Sequence, residues 1–273
     1  MPDDLLTTPP IVRHYASSLI AQDQYGLSPD SPVHKSHIKA WFACPRAFEL
    51  RMIHGFGPAS QPHFATGKLY HEVMHQCCSA SWRTRSKPSP YMAALDALPT
   101  ADKINLNTGS LNHAALLASY YRDYAEQHPG RSEVYFCQKI GPYWFAGSWD
   151  WLSNQRAELI DWKTSTIPTR HEADNGPESV IYRLAYEKEY GTLPTLIYKR
   201  LSVLWAKGRQ KHQPAEIRVE GPINQQAIQN IYQAIEEISK ISLKLARISA
   251  DCRKCPVSKL CMKPNNLLQS PKE

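Results

Sequence analysis

The stretch GSWDWLSNQRAELIDWKTS, residues 147–165, constrains this chain more than any other, because it reads as two strands that face each other. Side chains alternate along a strand, so Ser148, Asp150 and Leu152 share one face and Trp149 and Trp151 the other. In 158–165 the same period groups Leu159, Asp161 and Lys163 and turns Ile160 and Trp162 the opposite way. The polar Asn154-Gln155-Arg156-Ala157 predicts a four-residue hairpin loop between them. That loop pairs Ser153 with Glu158, and three residues back along each strand Asp150 stands opposite Asp161. Opposed Cβ atoms in an antiparallel pair are roughly 5 Å apart. Two carboxylates at that distance repel unless something positive lies between them. A hard divalent cation fits, since Mg²⁺ and Mn²⁺ are held by one or two carboxylates together with waters and phosphates.

Lys163 lies two residues beyond Asp161 on the same face. An ammonium there can orient an attacking water and stabilise charge on a phosphoryl oxygen. The chemistry implied is phosphodiester hydrolysis. An Asp-x-Lys triplet by itself arises by chance roughly once in a chain of this size, so the facing Asp150 and the rest of the chain carry the argument.

With 273 residues and 42% apolar content, the chain can bury the core of one large or two small soluble domains. No run approaches the apolar length of a membrane span, and MPDDLLTTPP has neither the basic start nor the apolar stretch of a secretory leader. A cytoplasmic protein with no membrane partner is expected. The net charge of +7 suits a polyanion such as nucleic acid. Seven cysteines, an odd number, favour metal ligands or free thiols over disulfides.

Residues 1–34 are rich in Pro, Ser and Asp and read as an irregular lead-in. Order is expected from Ser36, an N-cap for the helix SHIKAWFACPRAFELRM, which Pro45 interrupts with Cys44 at the break. Residues 67–85 predict a second helix with His71, His75, Cys78 and Trp82 along one stripe. Its HEVMH, 71–75, also matches the zinc-protease signature, with His71 and His75 as ligands and Glu72 as base. The extended form of that signature would need Gly where Cys78 stands and His where Ser81 stands. Residues 88–104 read as a connection, and 110–128 as an amphipathic helix burying Leu111, Ala115, Leu116 and Tyr120. A strand at 132–140, a helix at 178–191 and strands at 195–208 and 215–221 follow. Lys199, Arg200, Lys207, Arg209 and Lys211 cluster near the turn of that last pair, where they can contact phosphates. A long helix over 223–249 carries Ile228, Ile231, Ile235, Ile238 and Ile241 on one side.

The chain then reaches DCRKCPVSKLCMKP, where Cys252, Cys255 and Cys261 have the spacing Cys-x2-Cys-x5-Cys. Cys44 is the natural fourth thiolate. Tetrahedral zinc and a 4Fe–4S cluster both take four thiolates. Zinc ribbons contribute two local pairs, so one distant cysteine with a local triplet fits the cubane better. Either would staple the first helix to the last segment, giving a single domain over 35–264 and a tail at 265–273. Cys77, Cys78 and Cys137 read as ordinary thiols.

The ordered set of Cys44-Pro45, Gly67-x3-His71-Glu72, Gly147-x2-Asp150, Asp161-x-Lys163, a helix with Tyr182, and the cysteine triplet resembles the RecB-type branch of the PD-(D/E)XK nucleases. Within it the chain is similar to the iron–sulfur group that includes CRISPR-adaptation nucleases and the AddB nuclease domain. The resemblance spans about residues 36–264. It implies an α/β, restriction-endonuclease-like mixed β-sheet flanked by helices, with its ends joined by the cluster. It further implies His71, Asp150 and Asp161 as metal ligands, the Trp162 carbonyl completing the shell, and Lys163 positioning the water. Where the family's next helix carries Gln-x3-Tyr, this chain has Glu178 ahead of Tyr182. The expected activity is Mg²⁺- or Mn²⁺-dependent hydrolysis of DNA, by an exonuclease acting on ends or single strands in repair, recombination or CRISPR-type defence. A helicase or CRISPR integrase is the expected protein partner. Two rival readings are a non-cleaving nucleic-acid-binding module that keeps the cluster, and the zinc protease.

Overall fold

In the computed structural model the facing strands of 147–165 form the middle of a six-stranded mixed sheet. The structure describes residues 11–13, 24–54, 56–58, 62–78, 89–164, 167–201, 203–206, 209–212, 216–240, 252, 255, 257 and 261. In chain order the elements are β1 (Ile11–Arg13), β2 (Val33–His34), α1 (Lys35–Ala43), α2 (Pro45–Phe48), a π-helical turn at Glu49–Ile53, β3 (Phe56–Pro58) and α3 (Pro62–Cys78). Next come α4 (Pro90–Ala97), α5 (Thr100–Lys103), α6 (Thr108–Gln127), β4 (Gly130–Ile140), β5 (Tyr143–Ser153) and β6 (Glu158–Lys163). The rest are α7 (Arg170–Asn175), α8 (Pro177–Tyr190), β7 (Thr195–Arg200), β8 (Val203–Ala206), β9 (Arg209–His212), β10 (Glu216–Val219) and α9 (Gln225–Ser239).

The sheet runs β10-β7-β6-β5-β2, with β4 along the remaining edge of β5. β4, β5 and β6 form an antiparallel meander. β2 lies parallel to β5, and β7 parallel to β6. The parallel β6–β7 pair needs a crossover, and α7 and α8 provide it. Both sheet faces are covered. On one side Ile38 and Trp41 of α1, Val180, Ile181 and Tyr182 of α8 and the isoleucines of α9 pack with Leu152 and Leu159. On the other, Leu69 and Val73 of α3, Ala94 of α4 and Leu117 and Tyr121 of α6 pack with Trp151, Ile160 and Trp162. A sheet buried on both sides explains why β5 and β6 read as apolar almost throughout.

Several expectations shift. Residues 24–34, assigned to an irregular lead-in, place Tyr25 and Val33 in the core and add β2 to the sheet. Helix α1 therefore starts at Lys35 with His34 as its N-cap, ahead of Ser36. Pro45 does divide the helix, and the Cys44 Sγ accepts from Ala47 N–H at 3.5 Å to cap α2. The 88–104 connection holds two short helices, α4 and α5. Helix α6 turns Ala114, Leu117, Ala118 and Tyr121 inward in place of the expected Ala115 and Leu116, with Leu111 packed part-buried beside them and Ala115 exposed. Helix α9 buries Ile228, Ile231, Ile235 and Ile238 as expected, while Ile241 lies outside the described residues.

Candidate active site

The register of the central hairpin is the expected one. Trp151 pairs with Ile160 and Leu152 with Leu159, which brings Asp150 and Asp161 to facing positions. Regular pairing stops there, and the Asp150 carboxylate accepts the Trp162 backbone N–H at 2.7 Å in its place. Farther back, β5 pairs on this edge with β2 instead, at Phe145 and Ala146. The acids therefore sit where β5 passes from one neighbour to another. Gly147 lies within this stretch because a Cβ there would stand 3.0 Å from Phe136 Cζ.

The two tryptophans do not share a face. Trp149 stacks on Phe136 in the α8 layer, whereas Trp151 packs in the α3 layer. The side switches at Asp150, and the β4–β5 ladder pairs Ser132 with Trp151 and Val134 with Trp149 but skips Glu133 and Asp150. Glu133 has φ 50°, in the left-handed region that glycine favours. Such a distortion re-aims side chains.

Helix α3 carries His71 to this point. His71 Nδ1 lies 3.7 Å from Asp150 Oδ2 and 3.8 Å from Glu133 Oε1. The other acid, Asp161, is 1% exposed and meets two ammonium groups, Lys163 Nζ at 2.5 Å and Lys35 Nζ at 3.5 Å. Both lysines also hold Glu178, Lys35 at 2.6 Å and Lys163 at 2.8 Å. Lys35 donates further to the Tyr182 hydroxyl, which itself donates to the Ser148 carbonyl at 2.6 Å. Tyr182, 1% exposed, thus braces the site from beneath. His71, Asp150, Asp161 and Lys163 form one contiguous group, with Tyr182 joined through Lys35.

The electrostatics follow from burial and partners. Burial, then the neighbouring Asp161, raises the Asp150 carboxyl to about 7 against the pull of His71 and Lys35. Burial would also raise Glu178, but Lys35 and Lys163 overcome it and hold the group at about 2. Burial opposes charge on His71, and Glu133, Asp150 and Asp161 reverse that and raise its pKa. A cleft of about 630 Å³ opens beside Lys163 and Glu178, its charged border balanced between Lys39 and Lys163 on one hand and Glu172 and Glu178 on the other. A nitrogen ligand with several carboxylate oxygens is a donor set suited to Mg²⁺ or Mn²⁺.

Glu133 and Lys35 escaped the sequence reading. Glu133 lies in a strand whose alternation gives no hint of its left-handed turn. Lys35 is separated by 126 residues from Asp161. Only the parallel β2–β5 pairing brings them together.

Other expected site residues lie elsewhere. His75 Nδ1 is within 2.7 Å of Ser132 Oγ, and Gln76 donates to Glu72 at 2.7 Å. The His-Glu-x-x-His residues thus do not converge as a zinc protease requires. Lys199 pairs with Glu216 at 3.8 Å, and Lys207 lies outside the described residues. Burial raises the Cys261 thiol, and the nearby charge of Cys44 raises it further, with smaller contributions from Cys255 and Cys252. All four are free thiols, and among the described residues they do not gather as a metal-ligating cluster. Among the described residues only His71, Glu133 and Asp150 bring three ligand atoms of these types within 4.8 Å of one another. No helix among the described residues is long and apolar enough to cross a membrane.

No curated protein matches the sequence. A crystal structure from Eubacterium rectale, of a protein that carries the name of an exonuclease, superposes with a TM-score of 0.55 at 10% identity, covering 94% of this chain and 97% of its own. At that identity the likeness concerns the fold alone. The structure of SSO0001 covers 73% of this chain and 95% of its own at 16% identity, with a TM-score of 0.36, too loose to argue from. Residues 35–262 match one family across the span that holds both lysines, the acids and His71, and by that match the chain belongs to the PD-(D/E)XK nuclease superfamily.

Proposed function

We propose that this protein is a divalent-metal-dependent deoxyribonuclease of the RecB type, acting as an exonuclease on DNA ends or single strands. The observation that carries the reading is the convergence of His71, Asp150, Asp161 and Lys163, the last of which lines an open cleft. His71, Asp150 and Asp161, with the Trp162 carbonyl, would hold Mg²⁺ or Mn²⁺. When bound, such an ion supplies Lewis acidity for the scissile phosphoryl oxygen and lowers the pKa of the attacking water. Asp161 restrains the Lys163 ammonium at 2.5 Å, so that Lys163 can orient the water and stabilise the developing charge. Lys39, which lines the cleft with Lys163, would attract the phosphate backbone, while Lys35 is held behind it by Glu178, Asp161 and Tyr182.

For the thiols we propose a 4Fe–4S cluster on Cys44, Cys252, Cys255 and Cys261. Zn–S bonds of about 2.3 Å would draw four sulfurs to within roughly 4 Å of each other. A cubane keeps its thiolates on separate irons, and the support for it is the spacing of one distant cysteine with a local Cys-x2-Cys-x5-Cys triplet.

Cleavage of single- and double-stranded DNA with Mn²⁺, comparing wild type with Asp161→Ala and Lys163→Ala, tests the function. Both substitutions are expected to lower the rate by about 10³-fold or more. Cleavage that survives both removes the assignment, and DNA binding without cleavage in the wild type favours a non-cutting module.

A further inference from the structure

We infer that Glu133 is a further protein ligand of the divalent ion, grouped with His71 and Asp150 and added to the His71, Asp150 and Asp161 set proposed above. This rests on the nuclease reading above and adds to it a residue from β4, outside the helix and strand pair that supply the other ligands. The Glu133 and Asp150 oxygens stand 3.8 Å and 3.7 Å from His71 Nδ1, and one ligand atom from each of the three lies within 4.8 Å of the other two. Ligands about 2.0–2.1 Å from an octahedral Mg²⁺ are roughly 3 Å apart when adjacent and 4 Å when opposed. The observed spacing therefore surrounds one ion with little adjustment.

Charge points the same way. Asp161 and Glu178 each face two ammonium groups, whereas Glu133 and Asp150 have, among the described residues, only His71 as an ion-pair partner. Two carboxylates against one imidazole, with Lys35 acting on Asp150 only from beyond ion-pair distance, leave a deficit of positive charge that a dication would fill. Access is also suitable. The Glu133 side chain is 40% exposed and that of His71 33%, so an ion can enter and waters can complete its shell. The left-handed turn at Glu133 allows two functions on adjacent residues: Ser132 faces α3 and contacts His75, while Glu133 reaches His71.

Mn²⁺ binding, measured by electron paramagnetic resonance and calorimetry without nucleic acid, tests the inference on wild type, Glu133→Gln, Glu133→Gly and Asp150→Asn. Glu133→Gln is expected to weaken Mn²⁺ binding by about 10- to 100-fold with an unchanged melting temperature. Glu133→Gly, which fits the left-handed backbone without strain, is expected to melt higher and yet lose the same affinity. Wild-type Mn²⁺ affinity and stoichiometry in both Glu133 variants, alongside loss in Asp150→Asn, would overturn the role of Glu133 and leave the nuclease reading intact. A wild-type protein that neither takes up Mn²⁺ nor cuts DNA would overturn both.

Discussion

Replacing Lys35 with methionine tests the charge balance on which the site depends. Lys35 lies 2.6 Å from Glu178 and 3.5 Å from Asp161, and Lys163 lies 2.8 Å and 2.5 Å from the same two acids. At an effective dielectric near 20, each Lys35 contact corresponds to about 5–6 kcal/mol of Coulomb attraction before the cost of desolvation. Removing one partner of a buried pair costs about 3–5 kcal/mol, because the remaining charge is left uncompensated. The Lys35 side chain is 28% exposed, and Lys163 still faces both acids, so the loss should be nearer 2–3 kcal/mol. For a protein of this size that lowers the melting temperature by roughly 5–10 °C. Lys35→Met/Glu178→Gln removes both members of the closest pair and should recover about half of the loss or more. Calorimetric melts of the four proteins, with divalent ions chelated, give the coupling energy, expected at about 1–3 kcal/mol. Single-variant effects that add to within about 0.5 kcal/mol would refute the reasoning.

Asp150→Asn should raise the melting temperature of the metal-free protein at pH 8 and abolish stabilisation by Mn²⁺, read by melts with and without the ion. The sign follows from a folded-state pKa of about 7, above the ordinary carboxylate value. The native state holds that proton more tightly, so this group's contribution to stability falls as pH rises from about 4 to 7. Mn²⁺ must displace the same proton, so its apparent affinity should drop by up to about tenfold per pH unit below 7, as titration calorimetry would register. His75→Ala should leave DNA cleavage within about threefold of wild type, since His75 bonds to Ser132 and not to the acids. A colourless, zinc-loaded preparation would contradict the cubane; the expected anaerobic preparation is brown and pales in Cys261→Ser, read by visible absorbance and iron content.

The facing of Asp150 and Asp161 was legible because it depends on local information: a period of two on each strand and a loop of known length. The side switch between Trp149 and Trp151 was not, since it arises where β5 changes neighbours and β4 carries a left-handed residue. Helix α6 shows a milder version of the same limit. Its small and large apolar residues are spread around more than one face, and only the fit against α3 selects Ala114 and Leu117. Ser36 resembled a helix cap, but β2 delivers the chain into α1 two residues sooner, with His34 as the cap. The basic run near 199–211 promised phosphate contacts, yet Lys199 is held by Glu216.

The division of β5 between two partners also orders the assembly of the molecule. β4, β5 and β6 are joined by short turns and can zip together from nearby chain, whereas β2 pairs Val33 with Phe145, across more than a hundred residues. Contacts that close long loops form late. Lys35 rides immediately behind β2, so the meander acquires its acids and Lys163 before the second ammonium docks. The strand whose pairing spans the longest stretch of chain in the sheet is thus the one expected to bring the counter-charge, and its docking would neutralise the most repulsive corner.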